Sequence, residues 1–560
     1  MKQKKLIFTI LYFSSILLYG QSPNWQWAKS INGPGSYSNW ITKITSDAVG
    51  NIYITGYFDS TTINLGGIIL TNSDATGYSE DIFLAKYDSS GNVLWAKSAG
   101  GGNNDESNSI TADKFGNIYI TGYFYDTITF GSIILSSTCN NLMAIFIAKY
   151  DTSGNVIWAK SADCSFNAIA NSITSDAFGN VYITGCFSGQ IIFDSDTLTN
   201  SGGGYNIFIT KYDSSGNVIW AKSTSSAGTF LFNYSNSIIT DAIGNVYLKG
   251  YFDTDSISFG NITLYNSGSN YIIFIAKYDS SGNVIWAKSG TGFGTFLGTC
   301  SNLITTDTTG NIYMTGYTVS SSITFGNQTL NYTAYGGADI LIAKFDTSGS
   351  IIWAKTVGGL YNDEGFGVCA DITGNVYITG FFISPAINFG NTTLNNSSSQ
   401  YADIFVTKYD SSGNVLWAKS AGGNYDEGGL GITADIMGNI YIAGEFSSSS
   451  ITFGNSTIYN YSVGRDLFVA KLGSTITKIG NVENKSSVIV YPNPANEILN
   501  IENAEYSKIA IYNLLGEVVL KTKCNSAFST INVSALAEGT YIVKVVSEKN
   551  IVTKKICVIK

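Results

Sequence analysis

From Asn24 to Leu472 the chain is written in short runs of β-branched and aromatic residues broken by Gly, Asp, Asn and Ser, and no stretch holds a helical period. One stretch of about 65 residues shows the pattern. Residues 109–113, 117–124, 145–151 and 155–160 each read as a strand. Between them, Asp113 to Asn117 and Asp151 to Asn155 have the composition of tight hairpin turns. In each, an Asp carboxylate accepts backbone N–H bonds and a Gly supplies positive φ. Several positions are apolar on both faces, as in Ile145-Phe-Ile-Ala148. A strand that is greasy on both sides must be covered on both sides, and radially stacked four-stranded sheets do this.

The unit is repeated seven times. Trp-Ala-Lys recurs with its indole at Trp27, Trp95, Trp158, Trp220, Trp286, Trp353 and Trp417, at intervals of 62 to 68 residues. Asp-x-x-Gly-Asn followed by Ile or Val and Tyr begins at Asp47, Asp113, Asp176, Asp241, Asp307, Asp371 and Asp435. Lys-Tyr-Asp or a close variant, and a Phe-Gly landmark, keep the same count. The phase is split: the first copy opens on its fourth strand, and the last stops after its third. Set side by side, the two ends complete a seventh sheet and remove two exposed edges. The expected architecture is therefore all-β, a seven-bladed β-propeller over residues 21–473 closed by a latch between its terminal strands.

These landmarks, in order from Asp81-Ile-Phe-Leu-Ala-Lys-Tyr-Asp to Trp95-Ala-Lys97 and on to Gly116-Asn-Ile-Tyr-Ile-Thr-Gly-Tyr-Phe124, resemble the bacterial SBBP β-propeller repeat. The resemblance covers about 450 residues. It implies an exported bacterial protein and no particular activity.

Residues 1–20 read as a secretory signal peptide: Lys2, Lys4 and Lys5 precede an apolar run, Leu6 to Leu18, too short for a comfortable span. No other stretch approaches spanning length. Residues 474–487 are polar and read as a linker. Over 488–560 six or seven short alternating strands describe a small sandwich. Its Tyr491-Pro492-Asn493-Pro494, its Asn513-Leu-Leu-Gly516 turn, its Gly539-Thr-Tyr541 and its lysine-rich last strand resemble the type A C-terminal sorting domain of type IX secretion. That resemblance implies passage through the periplasm of a gram-negative bacterium, recognition by the type IX machinery, and a secreted or surface-held product. Charge separates the two parts: residues 474–560 carry ten Lys and seven Glu, while the propeller, near −15, is acidic.

Composition removes whole classes of chemistry. The chain of 560 residues has no histidine, so Ser-His-Asp and Cys-His catalysis and every His-ligated metal are excluded. A net charge of −9 and a single arginine, Arg465, argue against nucleic acid as a partner. The chain reads as a monomer. Of seven cysteines, Cys139, Cys164, Cys186, Cys300 and Cys369 sit at unequal offsets and read as drift, whereas Cys524 and Cys557 can bridge within the tail.

The remaining chemistry belongs to oxygen. Asp105-Glu106, Asp363-Glu364 and Asp426-Glu427 recur after Gly-Gly, in the connection from a fourth strand to the next first strand. They share a rim with the long links between second and third strands. Together with Trp40, which falls outside the repeated pattern, they are the candidate ligand-binding residues. The leading expectation is a non-catalytic propeller that binds a glycan or protein. The alternatives are a carboxylate-based polysaccharide hydrolase or lyase and a structural surface spacer. No cofactor is required; calcium is the one metal to consider, though a turn such as Asp88-Ser-Ser-Gly91-Asn92 offers one carboxylate where a calcium loop offers several.

Overall fold

The computed structural model describes residues 22–559 except 34–38, 48, 75–77, 140, 228–231, 267–270, 292–302, 320, 332–335, 399, 462–463, 474–487, 514–517 and 548–550. Residues 1–20 and 474–487, expected to be a signal peptide and a linker, lie outside the described residues, as do Cys300 and Gly516. The chain divides into two compact units, Met1–Ser474 and Thr475–Lys560.

The first unit is all-β and propeller-like; its described residues include five four-stranded antiparallel sheets and two six-stranded ones built on the same four-strand pattern, here numbered 1 to 7 in chain order. Sheet 2 is representative: Asp105–Ala112, Ile118–Phe124, Ala144–Tyr150 and Val156–Ser161 pair consecutively. Its third strand is buried along its whole length, which is why the sequence there is apolar on both faces. In sheet 7, Glu427–Ala434, Ile440–Phe446 and Asp466–Gly473 are joined by Asn24–Asn32 from the other end of the unit, with Trp27 opposite Lys471 and Ala28 opposite Ala470. The first strand of each sheet touches the first strand of the next, and that of sheet 7 touches Trp40–Ser46 of sheet 1.

The repeated residues have repeated duties. In the turn at 113–117, Asp113 Oδ1 accepts the N–H groups of Phe115 and Asn117 at 2.8 and 2.9 Å, while Oδ2 accepts Asn117 Nδ2 at 2.8 Å and Tyr119 OH at 3.2 Å. Both oxygens are thus engaged by neutral donors, and the turn closes without a metal. Lys86 Nζ lies 5.1 Å from the centre of the Tyr53 ring and donates to the Thr152 carbonyl of the next sheet at 3.1 Å. Trp95 Nε1 donates to the same carbonyl at 3.1 Å. Its indole rests on Gly154, where a Cβ would come within 2.8 Å of the ring. Gly154 has φ +79°, so both the turn and the indole demand glycine. Trp27 and Lys471 of sheet 7 reach the Ser89 carbonyl of sheet 1 in the same way, at 3.2 and 2.9 Å.

Each repeat holds more than four strands. The Phe-Gly landmark is the tip of an additional hairpin inside the link between second and third strands, for example Thr127–Phe130 with Ile133–Ser136. In two places this hairpin adds to the outer strand of the preceding sheet, as where Leu65 pairs with Ile31 and Phe325 with Gly290. The cysteine expectation is also corrected. Cys139 and Cys164 form a disulfide, because the repeat places them on two connections that face each other; Cys524 and Cys557 are free thiols.

The second unit is two sheets over one core that includes Leu499, Ile509, Val543 and Ile556. Ile489–Tyr491, Ile498–Glu502 and Phe528–Asn532 make one sheet; Val518–Cys524, Ser507–Tyr512, Gly539–Val546 and Ile551–Val558 make the other.

Candidate functional site

The acidic residues begin strands instead of lying in loops. Asp105, Asp363 and Glu427 are the first residues of the first strands of sheets 2, 6 and 7. Their register corrects the grouping by sequence. Asp105, Asp363 and Glu427 pair with Phe124, Phe382 and Phe446 respectively, so Glu427 matches Asp105 and not Glu106. The turn after Gly422-Gly423 has the same length as its counterparts, and the third acidic pair falls one position earlier within it. Asp426 takes the place of Asn104 and Asn362: its Oδ1 accepts the Ala402 N–H at 3.1 Å, as Asn362 Oδ1 accepts that of Ala338 at 3.0 Å.

The two positions differ in access. Asp105 and Asp363 are fully buried and Glu427 is 1% exposed. Burial pushes Asp105 up to about 9, with Asp81 adding to it, and Glu427 up to about 7 against the donors Ser448 and Gly423. Asp363 rises only to about 6, because Ser384, Gly359 and Ile383 donate to it. These three acids are packed inside the protein. The next position is half-buried: Trp40, Glu106, Ile169, Tyr234 and Glu364 on five first strands. Across from them on the second strands stand Tyr57, Tyr123, Cys186, Tyr251 and Phe381. These residues form a belt at one end of the first strands.

The belt has three sectors. At sheet 2, Glu106 Oε1 accepts the Tyr123 hydroxyl, and the Glu106 and Glu80 carboxyls share a hydrogen bond. Asn104 Nδ2 donates to Glu80 Oε2 at 3.1 Å. Burial raises both acids' affinity for a proton; the charge and hydrogen bond of Glu106 raise Glu80 further, while Tyr123 and Glu80 partly offset the rise at Glu106. At sheets 3 and 4, rings follow one another: Phe232 to Tyr205 at 6.2 Å, Tyr205 to Tyr234 at 5.7 Å, Tyr234 to Tyr251 at 5.5 Å and Tyr251 to Tyr271 at 5.3 Å. Beside sheets 7 and 1, Arg465 bonds Glu445 Oε1 at 2.7 Å and lies 5.8 Å from the centre of the Trp40 ring. There a cavity of about 320 Å³ has Phe366, Phe381 and Leu430 in its wall.

Of the residues singled out by sequence, Trp40, Glu106 and Glu364 share the belt, Asp426 lines that cavity, and Asp105, Asp363 and Glu427 lie behind it. Glu80, Tyr123, the ring series and the Arg465–Glu445 pair were missed. Their signal was present: each replaces an ordinary residue at a fixed repeat position, as Arg465 does where Met143 and Ala338 stand in other copies.

In the tail, the sorting residues are bound to the last strand. Asn493 Nδ2 donates to the Lys555 carbonyl at 3.2 Å, and Asn493 Oδ1 accepts the Cys557 N–H at 2.7 Å. Tyr541 OH donates to the Ala537 carbonyl at 2.8 Å, and the Tyr491 hydroxyl bonds Glu502. Asn513 directly follows the strand Ser507–Tyr512, and Gly539 opens a strand.

Comparison with known proteins agrees with this division. Residues 489–560 match the secretion system C-terminal sorting domain, and residues 94–123 match the beta-propeller repeat. The protein is a β-propeller carrying a type IX sorting domain, secreted or held on the outer surface of a gram-negative cell. Over 501 residues the chain is 26% identical to the uncharacterized WD repeat-containing protein L264 of Acanthamoeba polyphaga mimivirus, covering 74% of this chain and 36% of that protein. Over 182 residues it is 25% identical to regulatory protein FlaEY of Caulobacter vibrioides, covering 31% and 19%. The matches thus span well under half the length of these relatives. Solved structures with some likeness are Sqt1 from Chaetomium thermophilum (9% identity, 80% of this chain and 99% of that one, TM-score 0.34) and the gluconolactonase XC5397 from Xanthomonas campestris (12%, 67% and 97%, 0.28). Another is PorZ, a surface component of the type IX secretion system of Porphyromonas gingivalis (10%, 95% and 100%, 0.15). At these scores none bears on what the chain does.

Proposed function

We propose that the propeller is a closed ring of seven blades that binds a glycan across the belt without transforming it, after delivery by the type IX route. The observation that carries the binding reading is the series of five rings from Phe232 to Tyr271 beside Glu106 and Tyr123. Phe232 is exposed, Tyr205, Tyr234 and Tyr271 are half-buried and Tyr251 is buried beneath them; accessible aromatic faces suit the apolar face of a sugar ring, and neighbouring carboxyl and phenol groups suit its hydroxyls. Hydrolysis is disfavoured by geometry. Retaining and inverting glycosidases hold their two carboxyls about 5 Å apart or more, whereas Glu80 and Glu106 are hydrogen-bonded to each other. Glu364 stands on sheet 6, with sheets 7 and 1 between it and sheet 2.

The test is a panel of soluble polysaccharides scored for binding and for released ends. The account expects saturable binding to at least one, loss of at least tenfold affinity in Tyr234→Ala and Glu106→Gln, and no release. Released ends abolished by Glu80→Gln would establish a hydrolase instead. No binding to any member would favour the spacer.

A further inference from the structure

We propose that the outer edge of sheet 7 carries a second glycan site, a cleft for a neutral sugar chain with Tyr459 and Tyr461 as its platforms. The floor of the cleft is the strand Asn24–Asn32. On one side the hairpin of sheet 1 adds to that strand, with Leu65 opposite Ile31 and Asn64 opposite Asn32. On the other side the hairpin of sheet 7, Ser450–Phe453 with Ser456–Tyr459, packs against it, and the Trp25 and Phe453 rings lie 4.8 Å apart. Two cavities result, of about 400 and 340 Å³, and Tyr461 lines both. Their polar lining includes the hydroxyls of Ser30 and Thr457 and the carboxamides of Asn32 and Asn64. Lys29 supplies the one charge, and among the described residues no carboxylate lines either cavity. The acidic propeller repels a polyanion, so a neutral chain fits better, with sugar faces on the tyrosines and sugar hydroxyls on the carboxamides.

The other copies of the repeat show that the rings are an addition. Two residues beyond the second strand of each hairpin stand Ser73, Thr138, Ser201, Ser267, Thr333 and Ser397, and in sheet 7 alone Tyr461. Ser73 and Ser397 show the ordinary duty of the position. The N–H of each donates to an aspartate at 2.7 Å, and the hydroxyl lies within bonding distance of that carboxylate and of a glycine carbonyl. Tyr461 keeps the backbone bond, to Asp466 Oδ2 at 3.0 Å, so its place is fixed. It gives up the hydroxyl bridge, and with its side chain in a residue 74% exposed, burial returns little for the loss. Tyr459, 53% exposed, has its ring 6.5 Å away. Tyr265 of sheet 4 matches Tyr459, but Ser267 follows it in the second place. The cleft itself is a product of the repeat. Between sheets 5 and 6 a cavity of about 470 Å³ is lined by Lys355, Thr356, Asn414 and Val415, the counterparts of Lys29, Ser30, Asn92 and Val93. There Asn331 holds the place of Tyr459. The fold thus makes such a cleft at more than one seam and furnishes it with a pair of rings at sheet 7. The cleft stands apart from the belt, and neither reading depends on the other.

The test is affinity electrophoresis and calorimetry of the full chain with soluble β-glucan, xylan and mannan, and with alginate as the anionic comparison. Tyr459→Asn/Tyr461→Ser takes its residues from other copies of the repeat and should fold with an unchanged or higher Tm. In the Tyr234→Ala background, which silences the belt, a weaker binding to at least one neutral polysaccharide should remain. Adding Tyr459→Asn/Tyr461→Ser should weaken that remainder at least tenfold, whereas adding Tyr461→Phe, which keeps the ring, should change it less than threefold. A remainder that the cleft substitutions leave unchanged overturns the proposal. So does the absence of any remainder, or binding to alginate alone. Failure of the belt reads differently: Tyr234→Ala then keeps the wild-type affinity, and the cleft substitutions alone reduce it.

Discussion

Replacing Lys43 by Met removes a charge from the interior and should make the protein more stable in weak acid. Lys43 lies on the first strand of sheet 1, is 4% exposed, and donates to Ser109 Oγ at 2.9 Å. No carboxylate pairs with it among the described residues, and burial lowers its pKa from 10.5 to about 7. At about 1.4 kcal/mol per pH unit the shift corresponds to at most roughly 5 kcal/mol. Local relaxation and water entry reduce this, and a gain of about 2–3 kcal/mol is expected at pH 6. The sign follows from proton counts. Between pH 7 and 10.5 the unfolded chain holds a proton that the folded chain has lost, so the wild type becomes more stable as pH rises, and below pH 7 the penalty is complete. The advantage of Lys43→Met should therefore be largest at pH 6 and shrink toward pH 10. Met preserves most of the side-chain volume, and Ser109 Oγ keeps the Ile173 N–H as a donor, so no cavity or orphaned group confuses the comparison. Urea unfolding followed by tryptophan fluorescence at pH 6 and 9.5 measures both values. A variant no more stable at pH 6, or a difference independent of pH, would refute the reasoning.

Asp113→Ala strips four hydrogen bonds from one turn and leaves the buried Tyr119 hydroxyl without its acceptor, so about 2–4 kcal/mol should be lost in urea unfolding. Tyr119→Phe, which removes donor and need together, should cost about 1 kcal/mol or less. Breaking the Cys139–Cys164 bridge with the double Ser variant releases a sequence separation of 25 and should cost about 3 kcal/mol; an unchanged Tm would show that the bridge constrains nothing. In the native protein Cys557, which is partly exposed, should react with a thiol reagent well before the buried Cys186 and Cys369, as mass spectrometry of labelled peptides can record.

The propeller pattern was legible because its turns are local chemistry. Asp, Gly and Asn at fixed spacing specify hairpins, and a strand greasy on both faces announces sheets on either side. Trp, Lys and Tyr recur because each sheet must dock on the next through the same carbonyl. The additional hairpins were present as a Phe-Gly landmark, but runs of four residues carry too little period to be read as strands. The third acidic pair was misaligned because Asp-Glu stands one position earlier in a turn of unchanged length, and a single-residue offset exchanges a buried position for a half-exposed one. The carboxyl pair of Glu80 and Glu106 was hidden for a different reason. The two are 26 positions apart and meet only because Asp105 N–H bonds the Glu80 carbonyl. Cys139 and Cys164 likewise belong to connections whose approach depends on the docking of neighbouring repeats.

Everything at the belt depends on the two ends of the propeller sharing sheet 7, where Ala28 faces Ala470. The direct measurement is peptide mapping of the oxidised Ala28→Cys/Ala470→Cys double variant, with Ala28→Cys/Ala159→Cys as the control pair. A ring joined at that seam predicts near-complete linkage of the first pair in the folded protein and none of the second. Free thiols at both positions of the first pair under the same conditions would contradict it.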